Sequence, residues 1–177
     1  MKKEQTITVR VKMDEKTYKR FSYFDAFTLR KKWRSPVTFA AIMLVFGVVA
    51  FLLGKEQSVL IGVALMLVGL GLPVIWFASY ISSVRLKAVQ LQLEKPRPVY
   101  TVTLGRALRV HNDMKEEPVQ ELPWEKVFGA WRHKNAIYLY ATAARAFILP
   151  DGQADVSPDE LWQALGELIG KEKLHQA

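Results

Sequence analysis

The side chains best suited to chemistry in this sequence are three histidines and one crowd of carboxylates. His111, His133 and His175 stand on separate segments. No two of them share the one-turn spacing with which a helix presents a metal site, so each reads as a surface or turn residue. Asp113, Glu116, Glu117, Glu121 and Glu125 gather around one hairpin. Such a cluster can hold a divalent cation or supply an acid and a base. A solvated turn explains it with fewer assumptions. The chain has no cysteine, which excludes disulfides, thiolate zinc sites and a catalytic thiol. It has no Gly-x-Ser-x-Gly, no P-loop and no His-Glu-x-x-His. The "GLG" at 69–71 lies inside an apolar run and follows no strand, so it is not a dinucleotide loop. No catalytic residue, metal ligand or cofactor is therefore assigned, and an enzyme built on the acidic hairpin is the least economical reading.

The second group able to act chemically is basic and aromatic: Arg30, Lys31, Lys32, Trp33 and Arg34, directly before an apolar stretch. The net charge is +8 over 177 residues, and the cations flank the apolar block on both sides. That placement points to anionic lipid headgroups rather than nucleic acid. Residues 36–53 contain no ionisable side chain; as a helix they span roughly 27 Å, the thickness of a hydrocarbon core. After "GKEQS", residues 59–81 form a second such run. A signal peptide does not begin this late or continue into a second span. A soluble core would need far more chain to cover two helices that are apolar all round. The expectation is a transmembrane hairpin over residues 36–81.

Trp33, Trp76 and Tyr80 fall where amphipathic aromatics meet headgroups, and Pro73 is a kink that lipid tolerates. Gly62, Gly69, Ala50 and Gly54 are read as the ordinary composition of membrane helices rather than as a packing seam. Neither span carries the midplane polar groups that a transporter or intramembrane protease needs. Four cations precede the first span and Arg85 and Lys87 follow the second, against only Lys55 beside Glu56 between them. The positive-inside rule then puts both termini in the cytoplasm, and the membrane expected is the cytoplasmic (inner) one.

The remaining segments must position these groups. In residues 1–35, "QTITVRVKM" alternates as a strand with one apolar face. Asp14 is placed to cap the helix "EKTYKRFSYFDAFTLRKKW". Tyr18, Phe21, Phe24 and Phe27 recur there at helical spacing, which fits either a helix lying on the membrane or one packed on a soluble domain. Residues 82–98 read as a helical connector ended by "PRP". Residues 99–177 carry short strands in "VYTVTLG", "ALRVHND", "VQELPW", "EKVFGAWRH", "AIYLYAT" and "RAFILP", a meander that curls toward an antiparallel barrel or sandwich. A helix over 158–170 follows, with Ser157 as N-cap, Pro158 first and Glu160 completing a capping box. Its apolar face, Leu161, Trp162, Leu165, Leu168 and Ile169, must pack on the sheet. Trp124, Trp131 and Trp162 are read as core aromatics. The fold class expected is an α+β membrane protein: a two-helix hairpin plus a small β domain closed by a C-terminal amphipathic helix.

A strand meander with one terminal helix is the plan of a pleckstrin-homology-like (PH-like) domain. The order strand, aromatic-basic helix, two spans and then "LPWEKVFGAWRHKNAIYLYATAARAFILP" resembles the YcxB-like family of bacterial membrane proteins. The resemblance rests on the Trp124 stretch, "IYLY" at 137–140 and "FILP" at 147–150. It implies a cytoplasmic PH-like domain, no catalytic residues, and a first strand that joins the sheet across the membrane insertion. In that family a basic residue often follows the proline; here Asp151 does. Arg106 and Arg109 are the nearest counterpart of the basic loop with which PH domains hold lipid headgroups. Two functions follow as expectations: docking of a protein partner by the β domain, or contact with anionic lipid through residues 30–34, Arg106 and Arg109.

Overall fold

The computed structural model describes residues 6–114 and 117–176. The chain divides into two compact units, one made of Met1–Thr17 with Leu93–Ala177 and the other of Tyr18–Gln92.

The first unit is built on two four-stranded sheets. Strand β1 (Ile7–Met13) buries Ile7, Val9, Val11 and Met13 and exposes the alternate side chains, as a two-residue period requires. It pairs antiparallel with β2 (Arg97–Leu104), Val9 opposite Val102, although more than eighty residues separate them in sequence. The expectation that the first strand crosses the apolar insertion to join the sheet is met. The register slips between Val11 and Lys12, where Pro98 enters the ladder; proline lacks an amide hydrogen, and a bulge removes the need for one. Strands β3 (Leu108–Asn112) and β4 (Gln120–Leu122) complete the sheet in the order β1-β2-β3-β4.

The second sheet holds β5 (Gly129–His133), β6 (Ala136–Thr142), β7 (Arg145–Pro150) and β8 (Leu174–Gln176) in the order β7-β6-β5-β8. It is not purely antiparallel: β8, which the meander did not include, runs parallel to β5. Contacts from the strands and from the turns beside them link the first sheet to the segments around the second. The Tyr100 hydroxyl bonds the main chain of Ile148. The Trp124 indole donates to the Gly105 carbonyl at 2.9 Å. Val9 forms a bridge with Ala154. Helix α4 (Pro158–Ile169) has both halves of its capping box and buries Leu161, Leu165, Gly166 and Ile169. Trp162 and Leu168 are only half-buried. Of the three tryptophans expected in the core, only Trp124 is buried; Trp131 and Trp162 are partly exposed.

Helix α1 (Glu15–Tyr23) starts in the last residues of the first unit's N-terminal segment and runs straight into a π-helical turn, Phe24–Leu29. The single helix expected over this segment is therefore interrupted; the Arg30 amide reaches back to the Asp25 carbonyl, one residue further than an α-helix allows. The Asp14 carboxylate accepts from the Thr17 amide at 2.7 Å and caps α1. Helices α2 (Arg34–Leu52) and α3 (Glu56–Gln90) follow, and both are long and apolar enough to cross a membrane. They pack through glycines, contrary to the compositional reading. A Cβ on Gly69 would lie 2.8 Å from Met43 Cβ, and one on Gly62 would lie 3.0 Å from the Gly47 carbonyl. Gly47, not singled out in the sequence, belongs to the same seam, while Gly54 lies in open space. Helix α3 stops at Gln90 rather than at "PRP". Gln92 turns at φ +53°, so that Leu93 is fully buried and its carbonyl accepts from the Glu15 amide.

Candidate functional site

The basic-aromatic segment and the second long helix form one constellation. The π turn rotates Phe27 onto α3, where its ring stacks on Phe77 at 5.9 Å and meets Tyr80 edge-on at 5.4 Å. Tyr23 lies 6.4 Å from Tyr80, and the Tyr80 hydroxyl donates to the Ser22 carbonyl at 2.7 Å. Trp76 stacks on Tyr80 at 5.9 Å one helical turn away. Of the four aromatic residues expected on one face of the N-terminal helix, Phe27 packs on α3, with Tyr23 beside it. Trp76 and Tyr80, expected as aromatics at headgroup level, belong to one ring cluster.

The cations are placed by the same turn. The Arg30 guanidinium pairs with Asp25 at 2.8 Å. Lys31 takes φ +49°, and the Lys32 amide donates to the Ala26 carbonyl. The Trp33 indole donates to the Phe27 carbonyl at 3.2 Å. These bonds hold residues 30–33 as a tight reversal that delivers the chain into α2. Helix α2 begins at Arg34 with no acidic side chain in its first turn, so its positive dipole end is left uncompensated by a carboxylate of its own.

Beside this reversal, α2 and α3 line an open groove of about 490 Å³. Lys32, Ser35 and Ser79 supply its polar lining. Phe39, Leu72, Pro73, Ile75 and Trp76 are among its apolar walls. Lys32 and Trp76 were singled out in the sequence. The serines, Phe39, Leu72 and Ile75 were not, because nothing in a one-dimensional pattern tells which faces of two uniformly apolar helices will line a groove. Pro73 was the one further signal, as a proline inside a helix removes one of its hydrogen bonds.

Arg106 and Arg109 are in the other unit. Arg106 is exposed in the β2–β3 turn, and Arg109 lies directly opposite Glu121 in the β3–β4 ladder and pairs with it at 3.4 Å. The acidic hairpin is divided among separate partners. Asp113 accepts from Thr101 at 2.9 Å, Glu117 from Asn112 at 3.1 Å, and Glu121 faces Arg109. Glu116 lies outside the described residues. Among the described residues no group of three metal-ligating side chains converges. His111 stands 3.8 Å from Asp113, and His175 stacks on Trp131 at 4.7 Å. Asp151, at the corner where the resemblance would place a base, has its pKa raised because it is partly buried, with Arg132 opposing that shift and Asp159 adding to it.

One more surface concerns partners. The outer edge of β1 is closed: the amide of Thr8 donates to Asp155, and Gln153 exchanges two hydrogen bonds with Lys12. At the far end of that sheet, β4 has no further strand against it among the described residues. Near β4 in sequence, Val119 is 56% and Phe128 51% exposed, and Phe128 stacks on Trp131 at 5.8 Å.

No family model, no curated protein and no solved structure matches the chain. The likeness to YcxB-like proteins therefore rests on the residues quoted for it.

Proposed function

We propose that this chain is a non-catalytic, two-span protein of the cytoplasmic membrane, of YcxB-like type, whose PH-like β unit docks a protein partner in the cytoplasm. The observation that carries the reading is the pairing of β1 with β2 around the apolar hairpin. Two strands bonded residue by residue lie on one side of a bilayer, so the chain between them crosses an even number of times. Two helices satisfy that count, and the excess of cations at their outer ends supports the cytoplasm as the shared side. Only 6% and 11% of the most apolar windows of the two helices are buried within the chain. Apolar surface on that scale calls for lipid or another protein to cover it.

Docking is supported by the unpaired edge of β4 and the exposed Val119 and Phe128. A sheet edge offers main-chain hydrogen bonds, and neighbouring apolar side chains add affinity. The test is photo-crosslinking from position 119 of the full chain in native membranes. One recurring protein adduct, lost in Phe128→Asp, is the expected result; a smear of unrelated adducts insensitive to that substitution contradicts docking.

A second reading, contact with anionic headgroups at the cytoplasmic surface, is favoured by the segment Lys31, Lys32 and Arg34 at the entrance to α2. Arg109 adds less to it, since Glu121 already neutralises that side chain.

A further inference from the structure

We infer that the groove between α2 and α3 is a binding site for one anionic glycerophospholipid. Its phosphate is held by Lys32 with Ser35 and Ser79, and its acyl chain lies along Phe39, Leu72 and Ile75. The inference rests on the membrane placement proposed above and adds to it a discrete site and a ligand class.

The polar and apolar lining residues are ordered along both helices. On α2 the order from its start is Ser35, Pro36, Phe39; on the antiparallel α3 it is Ser79, Trp76, Ile75, Pro73, Leu72. Both walls therefore run from a hydroxyl to hydrocarbon in the same direction, and Lys32 stands at the hydroxyl end. A phosphate needs a cation and hydrogen-bond donors at one end, and an acyl chain needs apolar walls below. A lipid has the two in that order. Among the described residues no protein group is bonded to the side chains of Lys32, Ser35 or Ser79, whereas the neighbouring Arg30 is already committed to Asp25. The positive end of α2 adds to the attraction for an anion. The volume of about 490 Å³ accommodates part of a lipid, a headgroup phosphate with the upper part of one chain, rather than a whole molecule. The spans of a second copy would bring apolar surface but no negative charge of their own: there is no carboxylate between residues 34 and 55 or between residues 57 and 93. Charge complementarity thus favours the lipid.

The test uses the full chain in phosphatidylcholine nanodiscs in which phosphatidylglycerol is the minority lipid, followed by gentle release and native mass spectrometry. The expected result is a monomer retaining one phosphatidylglycerol in preference to phosphatidylcholine. Lys32→Glu should lower that preference about tenfold, as loss of a charge-assisted contact implies. Lys31→Glu makes the same change in net charge outside the groove lining and should have a much smaller effect. Ser79→Trp, which fills the groove, should remove retention of either lipid. The milder Ser35→Ala with Ser79→Ala should weaken retention severalfold while leaving the helical circular-dichroism signal intact.

Equal effects of Lys31→Glu and Lys32→Glu would mean diffuse surface attraction and would overturn the site. So would the absence of any headgroup preference, displacement of the lipid by inorganic phosphate, or a dimer that retains no lipid. A chain that stays dispersed without detergent or nanodisc would instead refute the membrane placement itself, which separates the two failures.

Discussion

The Tyr100 hydroxyl donates to the Ile148 carbonyl at 3.1 Å and accepts from the Ile148 amide at 2.7 Å. One side chain on β2 thereby satisfies both main-chain groups of a residue on β7, and its ring meets Phe147 edge-on at 5.5 Å. The contact does what a neighbouring strand would otherwise do for that edge. Tyr100→Phe keeps the ring and leaves both groups of Ile148 unpaired. It should destabilise the full chain in detergent by about 1–3 kcal/mol, read from denaturant unfolding followed by tryptophan fluorescence. Burial raises the Tyr100 pKa above the ordinary phenol value of 10.0. The unfolded chain then ionises first, so this stabilisation is complete below about pH 10 and is lost as the pH rises above it. Unfolding curves for Tyr100→Phe that superpose on those of the parent would contradict the assignment.

The glycine seam makes opposite predictions for two neighbouring positions. A Cβ on Gly69 would lie 2.8 Å from Met43 Cβ, an atom fixed to the α2 backbone, while a Cβ on Gly71 meets nothing within 4 Å. Gly69→Ala should force the helices apart and cost about 1–3 kcal/mol in detergent melts. Gly71→Ala should be neutral or gain up to about 1 kcal/mol from helix propensity. Equal effects at the two positions would refute the packing described.

Asp14 links the start of α1 to pH. Hydrogen bonding from Thr17 lowers its pKa below the ordinary value of 3.8 against a smaller opposing effect of burial. A depressed folded-state pKa gives stability that is present above pH 3.8 and is lost as the pH falls through the lower, folded value. Asp14→Ala should cost about 1 kcal/mol at neutral pH and have progressively less effect in acid. A difference between parent and variant that does not change down to pH 2 would count against the cap.

Two contacts on the β unit should differ in weight. Arg109 and Glu121 are both more than half exposed, so Arg109→Ala should change stability by less than about 1 kcal/mol, and by less still in high salt. Trp124→Phe removes a bond to the Gly105 carbonyl from a buried ring and should cost about 1–3 kcal/mol. The reverse ranking in thermal melts would show that the bond from Trp124 to the β2–β3 turn does not hold this part of the β unit.

Much of this architecture was legible in the residues, and the exceptions have physical causes. The long helices follow from the absence of charge over residues 36–53 and 59–81, and α4 from its Ser-Pro-x-Glu start, because both signals are local. Strand β8 was not legible: three residues pairing parallel to β5 have no period of their own. The π turn at Phe24–Leu29 was hidden because its sequence is compatible with a continuous helix, and the shift in phase is set by where Phe77 and Tyr80 stand on α3. Gly47 was passed over because glycine is common in apolar helices, and only the crossing of α2 and α3 shows which glycines meet. The groove is the same case. Lys32 and Trp76 stood out by type, but Ser35, Phe39 and Ser79 acquire meaning only where two helices line one groove.

The central claim is that the paired strands β1 and β2 share the cytoplasmic side while the α2–α3 turn is outside. Because the chain has no cysteine, single replacements report unambiguously. Gln57→Cys, exposed near the start of α3, and Ala144→Cys, exposed in the β6–β7 turn, are treated in intact cells with a membrane-impermeant thiol reagent. The account predicts labelling at position 57 in intact cells and at position 144 only after the membrane is opened. Labelling at position 144 in intact cells, or protection at position 57 until the membrane is opened, would contradict it.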